Sequence, residues 1–367
     1  MSKRVCIIAP HFSLPAMDGA DISIRELALF LKSNNCHVSF LCKDGFVDDS
    51  FLVNNGSLFE KRQKIFAAVI SILFFRPYIV CRYKLPFRSI IRNEYFDIVI
   101  YSYLGFYNEF RKSINSSKHF IWTHNFDLKW FKVTLPQPPH VLLFNTVNSI
   151  VTRYIIRQIK YHGDTLINVT DTDSLGYGEY GLKCITVGVG ISGVPIISNK
   201  KFGKIPILGF VGSLGNDMNY NALLYFSKCF WPILKRHVSE FRLIGSSPSD
   251  AVLKLARRHN WVTLFDLEDA TFNDEVSNLD YLVMPFTENN GFKLKTLLSL
   301  KFGLPILATS AIILPHRIMG ISSDDANTWV DYLINSNLEE RDQTKFFELF
   351  ESYTWSRTLQ PLLNHIF

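Results

Sequence analysis

The chain has 367 residues, more than one hydrophobic core usually organises, so two domains are expected. Hydrophobic residues make up 47% and charged residues 20%, a globular balance that excludes a disordered chain. Net charge is +6 but uneven: residues 1–170 hold 21 Lys and Arg against 12 Asp and Glu, and the remainder 18 against 21, so the first half faces something acidic. Six scattered cysteines, with no CxxC pair and no histidines at zinc spacing, read as a reduced, cytoplasmic chain without a structural metal.

The N-terminal "MSKRVCIIAPHF" carries only a short apolar run, a first strand rather than a signal peptide. Helical spacing over Ile22–Leu31 and a second strand in "CHVSFLC" complete a βαβ opening. Asp18, Gly19 and Ala20 stand just before that helix, where an anion or a substrate meets its N-terminus. The pattern is not GxGxxG, so an ordinary dinucleotide site is disfavoured.

Residues 61–93 contain Lys61, Arg62, Lys64, Arg76, Arg82, Lys84, Arg88 and Arg92, no acid, and the apolar block Ile65–Phe75. That block is too short for a bilayer, which needs about 20 residues. A basic-flanked amphipathic helix lying on an anionic membrane surface fits it, and so does a core helix with solvated flanks. Strands are expected at Asp97–Tyr103, His119–His124, Val141–Thr146 and Asp164–Thr170, with "KCITVGVG" closing the half. His124 lies at a strand end, where ligands meet a parallel sheet, although a packed or capping histidine stands there equally well. Asp171-Thr172-Asp173 resembles a carboxylate pair for a divalent ion, but directly after a strand it reads as a helix start.

Ile191–Pro206, rich in Gly, Pro, Ser and Lys, is the linker. After it the alternation restarts: strands in "ILGFVG", "EFRLIG", "WVTLFD", "DYLVMP" and "LPILAT", with helices over Asn219–Leu234, Ser249–Asn260 and Asp269–Leu279. Met284–Thr309, "MPFTENNGFKLKTLLSLKFGLPILAT", runs from a buried strand through a glycine-bearing loop into a short helix. A loop at the carboxyl end of a parallel strand, a helix N-terminus, Lys293 and Lys295 together suit phosphate. The tail is amphipathic, helical and broken at Pro361. Domains are therefore expected at 1–190 and 207–340, joined by 191–206, with 341–367 packing back across the junction.

These residues resemble a known family. "GFVGSLGNDMNYNALLYF" (Gly209–Phe226), "GFKLKTLLSLKFGLPILAT" (Gly291–Thr309), the Gly19 loop, Arg25-Glu26-Leu27 and "THN" (Thr123–Asn125) are similar to motifs of the group 1, or family 4, glycosyltransferases. The resemblance covers nearly the whole chain. It implies the GT-B fold, two Rossmann-like, doubly wound α/β domains with parallel sheets facing a central cleft. It further implies a retaining, hexosyltransferase-like enzyme without metal or other cofactor, moving a sugar from a nucleotide-sugar to a glycan or lipid-linked acceptor in polysaccharide or glycolipid assembly. Nucleic acid is not an expected partner, and the address is cytoplasmic with peripheral contact at the inner membrane face through residues 61–92.

Carried across by motif, Gly212, Ser213 and Asn216 meet the donor diphosphate, Lys295 and Lys293 bind its phosphates, and Glu288, Asn290 and Gly291 hold the sugar. Leu267, within Asp266–Glu268, meets the nucleobase. His124 acts with Lys295 at the reacting centre, and Asp18, Gly19 and Ala20 lie on the acceptor side. One departure stands out: where the family has a ribose-binding Glu, this chain has Leu298. A hydrogen bond to a charged group is worth about 1.5–3 kcal/mol, so the loss bears on donor affinity more than on the reaction itself. A catalytically degenerate protein that binds a partner or a glycan is the alternative of another class, and sugar-nucleotide 2-epimerases are the alternative within enzymes.

Overall fold

The N-terminal apolar run becomes an interior strand of a sheet covered on both faces, and in the computed structural model Val5, Cys6, Ile7 and Ile8 are wholly inaccessible. The structure describes residues 2–10, 12, 19–42, 45–47, 64–82, 94–124, 126–131, 138–196, 205–288, 295–312, 319–335 and 343–367. The first sheet has seven strands: β1 (Lys3–Ile8), β2 (Cys36–Cys42), β3 (Gly45–Val47), β4 (Tyr95–Ser102), β5 (Asn115–Thr123), β6 (Thr165–Asn168) and β7 (Lys183–Thr186). Their order is β3-β2-β1-β4-β5-β6-β7, parallel except that β3 folds back antiparallel on β2.

The second sheet has six: β8 (Ile207–Val211), β9 (Glu240–Gly245), β10 (Val262–Phe265), β11 (Tyr281–Met284), β12 (Ile306–Ala308) and β13 (Gly320–Ser322). Its order is β10-β9-β8-β11-β12-β13, with every pair parallel. In both sheets the chain first runs outward from the opening strand, then returns to that strand's other side. The order therefore reverses between β1 and β4, and again between β8 and β11. At such a reversal the loops leave in opposite directions and open a crevice, where open α/β sheets bind their ligands. This is the GT-B pattern of two doubly wound Rossmann-like sheets.

Helix ends follow local chemistry. The Ser249 hydroxyl accepts from the Val252 N–H at 3.3 Å, and Asn260 ends the same helix, Asp250–His259, in the left-handed conformation at φ 55°. The core of the second domain is aromatic: Phe226 stacks on Phe241 at 4.7 Å, and Phe230 lies 4.2 Å from Trp329. Contacts divide the chain into two units, residues 1–190 with Trp355–Phe367, and the intervening residues from Ile191 to Thr354. No helix among the described residues is long and apolar enough to cross a membrane.

Two expectations change, and two strands go unpredicted. Val141–Thr146 is not a strand but the start of a 24-residue helix, Pro139–His162. A four-residue apolar run such as Val141–Phe144 does not distinguish strand from helix. The decision comes from Pro139 in the first turn and from Val147, Val151, Ile155 and Ile159, buried at four-residue spacing. The tail breaks before Pro361, not at it: Gln343–Ser352 packs with Lys295–Phe302, and Trp355–Thr358 and Gln360–Ile366 follow, with Pro361 in the first turn of the last. The edge strands β3 and β13, three residues each, carry too little pattern to be predicted.

Candidate functional site

The second domain builds its site at the β8/β11 reversal. Val211 ends β8, and Gly212 follows at φ 153°, a backbone conformation that side chains rarely adopt. Space demands the glycine as well: a Cβ on Gly212 would lie 2.6 Å from Lys295 Nζ. Lys295 is the first residue of the helix Lys295–Phe302. Its ammonium donates to Asn219 Oδ1 at 2.9 Å and lies 3.9 Å from the ring centre of Phe210 and 5.0 Å from that of Phe286. Asn219 Nδ2 in turn donates to the Ser213 carbonyl at 2.6 Å. One asparagine thus ties the lysine to the glycine turn, and the two rings form an apolar floor that holds the cation by its charge.

The neighbouring loops close on the same strand ends. The Gly212 N–H donates to the Ile244 carbonyl at 2.9 Å, and a Cβ on Gly245 would fall 1.7 Å from the Gly212 carbonyl oxygen, so the loops after β8 and β9 touch backbone to backbone. Ser247 (φ 48°) and Asp266 (φ 54°) take left-handed conformations, pinned by the Ser247 N–H donating to Asp266 Oδ1 at 3.0 Å. Leu267, half-buried, follows Asp266. Ser213 and Glu288 are exposed. Asn216 is exposed too, its side chain accepting from the Met218 N–H at 2.8 Å as the cap of the helix Asp217–Cys229. Thr309 ties the strand ends through its hydroxyl, donated to the Phe286 carbonyl. Leu298, half-buried, sits one turn beyond Lys295. Asn290, Gly291 and Lys293 lie outside the described residues.

In the first domain His124 follows β5 but reaches sideways to β4, at the other reversal. Its Nε2 lies 2.9 Å from the Ser102 hydroxyl, itself fully buried, and its ring lies 4.3 Å from that of Tyr103. Tyr103 has φ 76°, a strained state that costs a non-glycine residue about 1–3 kcal/mol. Its N–H donates to the Trp122 carbonyl at 3.0 Å, which locks the loops after β4 and β5 together. Gly19 and Ala20, half-buried, open the helix Gly19–Ser33, and Asp18 lies outside the described residues. Thr170, rather than an aspartate, caps the helix Asp171–Gly178, its hydroxyl accepting from the Asp173 N–H at 3.0 Å. No group of three or more His, Cys, Asp or Glu among the described residues is placed to hold a metal.

Of the residues around Lys295, sequence reasoning missed Asn219, Phe210 and Phe286. Asn219 was visible only as a polar residue three positions past the helix cap, and the two phenylalanines looked like ordinary strand-end core. Ser102 and Tyr103 carry no motif at all.

Residues 205–335 match the family described as Glycosyl transferases group 1. No curated protein sequence matches the chain. Among solved structures, a glycosyltransferase from Rickettsia africae has a TM-score of 0.58 at 12% identity, covering 100% of this chain and 98% of that one. HepE of Anabaena, in complex with UDP and glucose, has 0.57 at 9%, covering 99% of each. The lipopolysaccharide outer core galactosyltransferase WaaB has 0.55 at 13%, again covering 99% of each. Against TarM, at a TM-score of 0.52 and 15% identity, 73% of this chain aligns and spans 54% of that one, about half its length.

Proposed function

We propose that the protein is a glycosyltransferase that takes its sugar from a nucleotide-sugar and passes it to a glycan or lipid-linked acceptor, with retention and without metal. The observation that carries this reading is the Lys295 ammonium, fixed against the Gly212 turn at the β8/β11 reversal by Asn219 and by the Phe210 ring. A glycine turn at a strand end, a helix N-terminus and one immobilised cation form a cradle for a diphosphate. As the sugar–phosphate bond breaks, negative charge collects on the departing diphosphate. Charges already in place there stabilise it without reorganising. Structures with the same fold have been solved with UDP and glucose and with ADP and acarbose, which supports a nucleotide as a ligand.

In this reading the β-phosphate of the leaving group takes the proton of the acceptor hydroxyl, so no strong protein base is required. His124, held by Ser102 and Tyr103, belongs to the acceptor half and orients a hydroxyl. The acceptor arrives on a membrane. The helix Lys64–Phe74 leaves Ile65, Phe66, Val69, Leu73 and Phe74 exposed, and the basic residues of 61–92 surround it in sequence.

The test is thermal stabilisation by UDP, GDP, CMP and dTDP, with Lys295→Ala beside the native chain. One nucleotide diphosphate is expected to raise the melting temperature, and Lys295→Ala to lower its affinity by about ten- to a hundredfold, the worth of a charge-assisted hydrogen bond. Absence of any shift at millimolar nucleotide would replace this reading with the non-catalytic one.

A further inference from the structure

The first domain has a cavity of about 520 Å³, partly open to solvent and within the range of small-molecule sites. Its described walls are mainly apolar: Ile79, Leu104, Phe131, Phe144 and Ile155 contribute, joined by the rings of Tyr78 and Tyr103. The wall is fixed rather than collapsible. Asn148, also in the lining, accepts from the Tyr78 N–H at 3.1 Å and donates to the Phe144 carbonyl at 3.0 Å, tying two elements across the space. Tyr78 and Phe144 meet edge to face at 5.2 Å.

One acid stands in this apolar lining. Asp127 begins the short helix Asp127–Trp130, and its backbone N–H donates to the Tyr177 hydroxyl at 3.1 Å. Its carboxyl makes no hydrogen bond among the described residues. Asp127 is half-buried, so its carboxyl stands at the cavity wall, where an occupant's donor can reach it. No Lys, Arg or His is among the cavity's described lining, so nothing there attracts an anion.

We propose that this cavity is a binding site for a neutral, largely apolar molecule carrying one hydrogen-bond donor, an alcohol or an aryl amine, whose donor meets the Asp127 carboxyl. Tyr103 is shared between the cavity wall and the His124 ring, so an occupant lies one side chain from the histidine. The inference concerns the first domain alone and does not depend on the nucleotide site.

Burial, reinforced by the charge of Asp173, pushes the Asp127 carboxyl up to about 7. The titratable groups that face it are Asp173 and Tyr177, from the helix Asp171–Gly178, and the cavity walls add only Tyr78 and Tyr103. Below pH 7 the carboxyl is neutral and an apolar neighbour strips little hydration from it. Above pH 7 the carboxylate must be dehydrated, and for a weak donor such as an alcohol or an aryl amine that cost outweighs the stronger hydrogen bond to the charged form, so occupancy weakens as pH rises.

The experiment is fluorescence titration of the whole protein with N-phenyl-1-naphthylamine, a neutral apolar probe with a single N–H donor. One saturable site is expected, with Kd rising about tenfold from pH 6 to pH 8 as the neutral fraction falls. Asp127→Asn should bind with no such pH dependence. Ile155→Trp, which fills the space, should abolish binding. Asn145→Trp, at a half-buried lining position, should do the same without disturbing the core, and a melting curve confirms that each variant folds. Phe66→Ser, on the exposed helix face, should leave binding unchanged. The proposal is overturned if no saturable site appears, if both tryptophan variants bind normally, if Phe66→Ser alone removes binding, or if the native pH dependence is absent or reversed.

Discussion

The two domains share one plan and offer ligands different things. In the second, the crevice at the strand reversal holds fixed charge: Lys295 is clamped by Asn219 over Phe210, and the loops after β8 and β9 press backbone on backbone. In the first, the corresponding loops present His124, a strained Tyr103 and, nearby, an apolar cavity in which Asp127 is the one acid among the described lining residues. The second site is built, among the described residues, from backbone and the Lys295 cation. The first is lined by side chains on helices and loops, which change without disturbing a sheet.

The sharpest way to break this contrast is at the glycines. Gly245→Ala drives a Cβ into the Gly212 carbonyl, and is expected to cost more than about 4 kcal/mol in a urea titration. Gly178→Ala, in the first domain, meets nothing within 4 Å and is expected to change stability by less than about 0.5 kcal/mol. Equal effects would mean that the close backbone approach at Gly245 imposes no constraint beyond that of an open helical glycine.

Next in size is a pH effect confined to the first domain. His119 is buried, with Nδ1 2.9 Å from the Tyr101 hydroxyl, and burial followed by the Arg111 charge pulls it down to about 4. Its folded value lies below the unfolded 6.5, so the stability it contributes is complete above pH 6.5 and is lost as pH falls toward 4. The loss is on the order of 3 kcal/mol, and His119→Gln should flatten that part of the stability–pH curve.

A smaller change addresses the vacated ribose contact. Leu298→Glu places a carboxylate one turn beyond Lys295 and is expected to tighten binding of the preferred nucleotide by about 1.5 kcal/mol, roughly tenfold, in calorimetric titration. No gain would mean that another group already serves the ribose. Smallest is the membrane term. Leu73, 67% exposed, should lose about 1 kcal/mol of affinity for anionic vesicles on substitution by Ser, roughly fivefold in sedimentation. Unchanged sedimentation would remove the helix Lys64–Phe74 from any membrane surface.

Much of the fold was legible because each buried strand is a continuous apolar run bounded by Gly, Pro or Asp, and because the alternation restarts after Ile191–Pro206. Val141–Thr146 misled because its apolar run continues at four-residue spacing into Val147, Val151, Ile155 and Ile159, a signal that appears only over a longer window. Gly212 and Lys295 were legible as chemistry, a glycine after a strand and a lysine opening a helix.

What the sequence determined by itself is therefore most of the order of strands and helices, the restart of the alternation after the linker, and the residue types at the strand ends. These are local properties, set by hydrophobic period and by the few residues able to turn a chain. Only the tertiary structure decided which strand ends become neighbours. Gly212 and Lys295 are far apart in the chain and meet because β11 returns to the open side of β8. His124 meets Tyr103 because β5 lies beside β4, and Asp127 faces Ile155 because a long helix runs where a strand was expected. Side-chain proximity across a sheet depends on pairing order, and pairing order is a property of the assembled chain.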